Sequence, residues 1–219
     1  MDYHNPPSVT LICGKGQSGK TSFAYKYLIN IVRACAAVFI YDPSGQSAHR
    51  LNLPWLRTVA ELESAKPHKW LCFNPHAMFP AEKLTEAGPW FFRWALESSK
   101  TGRGRKILFV DELWNECSPH QVPDALLAVI KTGRFWGLDF VGVTHRPREF
   151  PIALRTNVTE WVIFHTAEPE EIKTLCEYYP NAVAAAALPT RGQCLAYNRD
   201  SGAEMKLGFA DCPGGWRQF

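Results

Sequence analysis

The chain has 219 residues, 46% of them hydrophobic and 21% charged, with a formal net charge of +3. This is the composition of a soluble globular chain long enough to bury a sizeable core, and its mild basicity permits a nucleic-acid partner without requiring one. Several classes are excluded. No apolar run approaches the roughly 20 residues of a membrane span. Met1–Pro7 has neither the charge nor the apolar core of a signal peptide. The seven cysteines form no C-x-x-C pair and fit no zinc spacing, as expected of reduced cysteines in a cytosolic protein.

In chain order, Val9–Cys13 reads as a short buried strand, followed by Gly14-Lys15-Gly16-Gln17-Ser18-Gly19-Lys20-Thr21 and a helix from Lys20 to about Ala34. The eight-residue segment matches G-x-x-x-x-G-K-[ST] without deviation, and it stands between a strand and a helix, where backbone N–H groups and a positive helix end converge on one anion. Nucleotide contacts are therefore expected from Gly14 through Thr21 and from Ser22. Lys20 is expected on the β- and γ-phosphates and Thr21 on Mg²⁺, with ATP the default nucleotide.

Ala37–Asp42 is the second strand, closed by Pro43 and Gly45. The stretch from about Ala48 to Pro80 is less regular and contains a predicted strand, Trp70–Phe73, between Pro67 and Pro75. A helix is predicted from about Pro80 to Lys100, and Thr101-Gly102-Arg103-Gly104-Arg105-Lys106 reads as a basic, glycine-rich loop. Next come a strongly apolar strand ending in Asp111-Glu112, a helix from about Pro123 to Gly133, a strand Asp139–Thr144 and a strand Trp161–Phe164. A helix over about Pro169 to Tyr179 precedes a hairpin, Gln193–Asn198 and Glu204–Phe209, turned at Asp200-Ser201-Gly202; Pro213–Phe219 reads as a tail. Strands alternating with helical patterns predict an α/β fold with a mostly parallel sheet flanked by helices. The expected organisation is one domain over 1–219, with a core of about 8–165, a C-terminal helix and hairpin of about 166–212, and the tail 213–219.

The Asp-Glu pair lies about 90 residues after the phosphate loop. Ligands sit at the carboxyl ends of central parallel strands. Asp111 is accordingly expected beside the loop, holding Mg²⁺, and Glu112 is expected to polarise the attacking water. With one strand between loop and acids and a glutamate beside the metal-binding aspartate, the arrangement resembles the RecA-like (ASCE) branch of P-loop ATPases, most of which are motors. Small-molecule kinases usually lack that glutamate and carry an arginine-rich lid. Thr144 or His145, at the end of the following strand, is a sensor candidate for the γ-phosphate. Arg134, after a helix end, is a candidate for an arginine supplied in trans, with Arg146 and Arg155 as alternatives.

Gly14–Thr21, Ile107–Glu112 and the block Gly133-Arg134…Gly137-Leu138…Thr144-His145-Arg146-Pro147 together resemble the FtsK–HerA superfamily of DNA-pumping ATPases. The chain looks most like the genome-packaging ATPases of tailless, membrane-containing (tectivirus-like) icosahedral phages and related archaeal viruses. The resemblance covers about residues 8–165. Superfamily members often place Gln before Arg-Pro, where this chain has His145. The resemblance implies ATP hydrolysis coupled to translocation of double-stranded DNA, a hexameric ring with ATP sites between subunits, and DNA in a central channel. It also implies portal or vertex proteins as partners, with the protein in the host cytoplasm during assembly and then at the virion's packaging vertex. Arg103, Arg105 and Lys106 are the basic candidates for the DNA surface. Two other readings compete: a Zot-like assembly ATPase acting on proteins, whose relatives usually carry a transmembrane helix, and a non-motor nucleotide-binding protein such as a nucleotide kinase.

Overall fold

Nine strands form one sheet in the order β3-β4-β2-β5-β6-β1-β7-β8-β9, where β1 is Val9–Cys13, β2 Ala37–Tyr41, β3 Trp55–Leu56, β4 Trp70–Phe73, β5 Lys106–Val110, β6 Leu138–Thr144, β7 Glu160–Phe164, β8 Gln193–Asn198 and β9 Glu204–Gly208. The structure is a computed structural model, and it describes residues 8–66, 68–118 and 120–208. The expected features at Met1–Pro7, Pro67, Phe209, Cys212 and Pro213–Phe219 lie outside the described residues. The helices are α1 Lys20–Ile31, α2 Gln46–Leu51, α3 Val59–Ala65, α4 Pro75–Met78, α5 Leu84–Thr101, α6 Asp124–Thr132, α7 Ile152–Arg155 and α8 Pro169–Cys176. Two compact units partition the chain: residues 32–111 and 123–140 in the first, residues 8–31, 112–122 and 141 onward in the second.

In the first unit, β2 pairs in parallel with β4 and β5, and β3 with β4. Every residue of β2 and β5 is buried, so these strands are continuous apolar runs without the alternation of a one-sided sheet. Ala87, Phe91, Ala95 and Ser99 recur every four residues on α5 and form its buried face. Tyr41, Phe73, Phe91 and Trp94 interlock there, with Phe73 and Phe91 stacked at 4.8 Å and Phe91 and Trp94 at 5.5 Å. Such rings dominate the buried apolar area of a core and hold the strand ends in place.

In the second unit, β1 pairs in parallel with β7 in the register Thr10↔Glu160 to Cys13↔Ile163. Thr10 Oγ1 donates to Glu160 Oε2 at 2.7 Å, partnering a carboxylate that would otherwise be buried without a donor. β8 and β9 extend this side antiparallel, β8 on β7 and β9 on β8. The hairpin expected from Asp200-Ser201-Gly202 is present up to Gly208. Asn198 Oδ1 accepts the Asp200 and Ser201 N–H groups at 3.0 Å each, and Gly202 takes φ +69°.

Several boundaries differ from the sequence reading. The first helix stops at Ile31 and tightens into a 3₁₀ turn over Val32–Ala34. α5 starts at Leu84, after a 3₁₀ turn over Ala81–Lys83, and runs through Pro89. α8 ends at Cys176 rather than Tyr179. The irregular stretch 48–80 contains β3 and α3, the latter capped by Thr58, whose side chain accepts the Glu61 N–H. Asp111 and Glu112 fall just past the end of β5, and Lys106 is the first residue of that strand instead of part of a loop. β6 lies between β5 and β1, so the strand ending at the acid pair is not the immediate neighbour of the strand leading into the phosphate loop.

Candidate functional site

The loop Gly14–Gly19 connects β1 to α1 and is shaped by backbone that only glycine tolerates well. Gly14 takes φ +137°, and a Cβ there would lie 2.8 Å from Phe164 Cβ and 2.9 Å from the Phe164 carbonyl oxygen. The loop is therefore pressed against the end of β7, and Lys15 N–H donates to the His165 carbonyl at 2.9 Å. Gln17 is left-handed at φ +61°, a strained state that non-glycine residues hold where the surroundings impose it. α1 starts at Lys20 with no acid in its first turn. Phe23, Ala24, Tyr27 and Leu28 anchor the helix in the core, and Phe23 meets Phe164 edge-on at 5.6 Å.

Lys20 is buried, and its Nζ donates to the Lys15 carbonyl at 2.7 Å. Ser18 Oγ is buried with no hydrogen-bond partner among the described residues. Burial of such groups is costly unless a partner is supplied, and a phosphate brings several acceptor oxygens. The loop thus fits a polyphosphate: a glycine-built cradle, an orphan hydroxyl, a lysine within it and a helix N-terminus behind it. No group of three or more His, Cys, Asp or Glu among the described residues is placed to hold a metal. A Mg²⁺ bound by one or two protein oxygens, phosphates and water needs no such cage.

Beside the loop lies a cavity of about 770 Å³, lined by Lys15 and Gly16 on one side and by Trp114, His145 and Arg146 on another. Glu149, Glu168 and Glu171 form its acidic wall. The same unit contains Glu112, held left-handed at φ +53° and receiving Asn115 Nδ2 at 3.3 Å on its Oε2. A glutamate in this region of backbone space is an outlier of about 1–3 kcal/mol that persists where surrounding structure fixes it. The His145 pKa is held below the usual histidine value by burial first, then by the Lys20 and Arg146 charges, with Glu112 pulling the other way. Lys20, Glu112 and His145 are therefore electrostatic neighbours. Thr144 is buried at the end of β6, and its Oγ1 accepts the Arg146 N–H at 3.4 Å. Asp111, in the other unit, is buried directly after β5.

The remaining sequence candidates separate by partner. Arg146 is exposed, donates to Glu149 Oε1 at 2.8 Å and lines the cavity of its own chain. Arg155 is buried, with Nη1 3.9 Å from Glu177 Oε2 and its guanidinium 5.6 Å from the Tyr178 ring centre. Both contacts lie within its own chain. Arg134 is exposed in the 3₁₀ turn after α6, beside Phe135, which is 69% exposed.

Two of the three DNA candidates are likewise engaged internally. Arg105 forms a two-pronged ion pair with Asp139, Nε to Oδ2 at 2.6 Å and Nη2 to Oδ1 at 2.9 Å, and Asp139 is fully buried. Lys106 is buried with Nζ on the Gly102 and Gly104 carbonyls at 2.7 and 3.3 Å, and burial lowers its pKa. A buried aspartate and two backbone carbonyls take these cations. Arg103 is exposed.

Sequence reasoning passed over His165, Trp114, Glu149, Glu168, Glu171 and Arg191. Glu171 is buried, accepts the Arg148 N–H at 2.9 Å, and has its pKa raised by burial, with Glu168 and Glu149 adding to the effect. Its only signal in the sequence is an acid on the inward side of a short amphipathic helix. Among the described residues no helix is long and apolar enough to cross a membrane, and Cys13, Cys35, Cys72, Cys117, Cys176 and Cys194 are free thiols. Burial raises the Cys13 and Cys72 pKa values well above the usual range and pushes Cys117 up to about 12.

A glycine cradle between β1 and α1, a second strand ending at an acid pair and a mostly parallel sheet define a RecA-like P-loop NTPase fold. Among solved structures, the chain is similar to the genome packaging NTPase B204 from Sulfolobus turreted icosahedral virus 2 in complex with AMP. The identity is 20%, the match covers 92% of this chain and 97% of that one, and the TM-score is 0.74. Structures of the same NTPase contain AMPPCP and ATP-gammaS. VirB4 of Thermoanaerobacter pseudethanolicus is similar at 15% identity over 91% of this chain and 88% of that one, with a TM-score of 0.66. The N-terminal domain of zonular occludens toxin from Neisseria meningitidis matches at 14% identity over 93% and 94%, with a TM-score of 0.50. No protein-family model matches the chain, and no curated protein does.

Proposed function

We propose that this chain is an ATP-hydrolysing motor that translocates double-stranded DNA and packages a viral genome into a preformed capsid. The observation that carries the reading is the glycine-built loop, with Ser18 Oγ buried without a partner among the described residues and Lys20 buried on the Lys15 carbonyl, beside a cavity. The full-length resemblance to a genome packaging NTPase supports the choice of substrate. In this reading Lys20 exchanges the Lys15 carbonyl for β- and γ-phosphate oxygens, and the loop N–H groups and Ser18 hold the remainder. Thr21 would hold Mg²⁺, which would supply neutralisation of phosphate charge when bound. Glu112 orients the attacking water and takes its proton. His145, which lines the cavity, is the sensor candidate for the γ-phosphate, and Thr144 Oγ1 accepts the Arg146 N–H in the turn that follows β6. Arg134, on an exposed turn, is the candidate to act on a neighbouring subunit in a ring, with a hexamer as the expected assembly. Portal or vertex proteins complete the packaging machine, in the host cytoplasm and then at the virion vertex.

The test is hydrolysis of ATP by the purified protein with and without duplex DNA, alongside its oligomeric state. Stimulation by duplex DNA of any sequence, lost on raising salt, is expected. Hydrolysis indifferent to DNA even in the presence of vertex proteins would overturn the translocase reading. The similarity to zonular occludens toxin gives the second reading, an assembly ATPase acting on proteins, which stimulation by a coat or pore protein without DNA binding would favour.

A further inference from the structure

The turn ahead of β8 leans on the phosphate loop. It begins at Leu188, whose carbonyl meets His165 Nδ1 at 2.9 Å; a carbonyl can only accept, so Nδ1 carries the proton. The His165 carbonyl in turn accepts the Lys15 N–H. Gly192, at φ +80°, brings its N–H to the Ser18 carbonyl at 3.2 Å, and a Cβ on Gly19 would lie 3.8 Å from that nitrogen. Arg191 then donates from Nη2 to Gln17 Oε1 at 3.3 Å, a contact between residues 174 positions apart.

Arg191 is exposed, and its partner is a neutral amide, so its charge is not matched by a carboxylate among the described residues. It addresses the loop at Gln17, and Gly192 does so at Ser18, whereas the cavity opens on Lys15 and Gly16 with His145. With the γ-phosphate on the cavity side, at Lys15, Gly16 and His145, the α-phosphate and nucleoside are directed past the other flank of the loop. A guanidinium there can pair with α-phosphate oxygens or lie over the face of a base.

We infer that Arg191 is a ligand, supplied by the same subunit, for the nucleoside half of the bound nucleotide. This inference rests on the reading that Gly14–Thr21 binds a triphosphate. The arrangement also ties occupancy of the loop to the β8–β9 hairpin, because Arg191 and Gly192 immediately precede β8.

The experiment is titration of ATP, AMP and inorganic pyrophosphate, which leaves the α position empty, into the wild-type chain and into Arg191→Ala, Arg191→Lys and Lys20→Ala, with thermal melts to verify that each variant is folded. Arg191→Ala is expected to weaken ATP and AMP about tenfold while leaving pyrophosphate within about twofold. Recovery of ATP affinity in Arg191→Lys assigns the contact to α-phosphate charge, and no recovery assigns it to the base face; both support the inference. ATP binding in Arg191→Ala equal to wild type, with Lys20→Ala defective, overturns it. An equal loss for all three ligands also overturns it, since that marks a residue that merely shapes the loop. A wild-type chain that binds none of the three removes the triphosphate reading itself, and the inference with it.

Discussion

Gly14–Thr21 and Thr101–Lys106 look alike as strings: both are glycine-rich and basic, and both lead to a buried lysine. Even the local bonding is parallel, with Lys20 Nζ on the Lys15 carbonyl and Lys106 Nζ on the Gly102 carbonyl, each at 2.7 Å. Their surroundings are opposite. Lys20 stands at a helix N-terminus with Glu112 and His145 as electrostatic neighbours and a cavity alongside the loop. Lys106 opens a fully buried strand, and next to it Arg105 neutralises the buried Asp139. A basic glycine-rich stretch is thus a ligand site only where the fold leaves its donors facing a space; elsewhere the same residues stabilise the interior.

The largest effects should separate the two lysine-bearing segments by function. Lys20→Ala is expected to abolish ATP hydrolysis, and Glu112→Gln to lower turnover about 10²–10⁴-fold while retaining nucleotide binding, measured by phosphate release and equilibrium titration. A Glu112→Gln chain that turns over normally would leave its strained backbone without a catalytic purpose.

Stability should respond most in the other segment. Arg105→Ala leaves the Asp139 carboxylate buried without its partner and should cost about 3 kcal/mol in urea unfolding, with Arg105→Met/Asp139→Leu recovering most of it. A loss below about 0.5 kcal/mol would show that the ion pair with Asp139 adds little to the fold.

A smaller effect concerns the acidic wall. Fold burial raises the Glu171 pKa, so the folded state favours its protonated form; that contribution is full below the unfolded carboxylate pKa and is lost as pH rises through the raised folded value. Glu171→Gln should therefore raise Tm by about 2 °C at pH 7, with the gain vanishing toward pH 4, followed by thermal melts across pH. A gain independent of pH would point to packing and not to charge.

The smallest expected effect is at Arg103, the exposed member of its segment. Arg103→Ala should lower the salt slope of duplex DNA binding by about one while leaving basal hydrolysis unchanged. An unaltered slope would move the DNA surface away from 101–106 entirely.

The loop, the acid pair and the hairpin were legible because each depends on local chemistry: glycine at left-handed backbone, an apolar run interrupted by two acids, an Asx turn at Asn198. The cavity's far wall was not. His165, Glu171 and Arg191 come from distant stretches, and a single glutamate or arginine carries no signal of what it will face. The arginine candidates show the same limit. Arg134, Arg146 and Arg155 are equivalent in sequence, yet one lies on an exposed turn, one is paired with Glu149 at the cavity and one is buried against Tyr178.

By itself, then, the sequence determined the α/β class and the phosphate loop, because periodicity and backbone stereochemistry act over a few residues. Tertiary structure alone decided which cations remain available, that β6 lies between the loop strand and the acid-ending strand, and that Arg191 meets Gln17 across 174 positions. Those outcomes depend on burial and long-range pairing, whose energies are set by what the folded chain brings together rather than by what is adjacent along it.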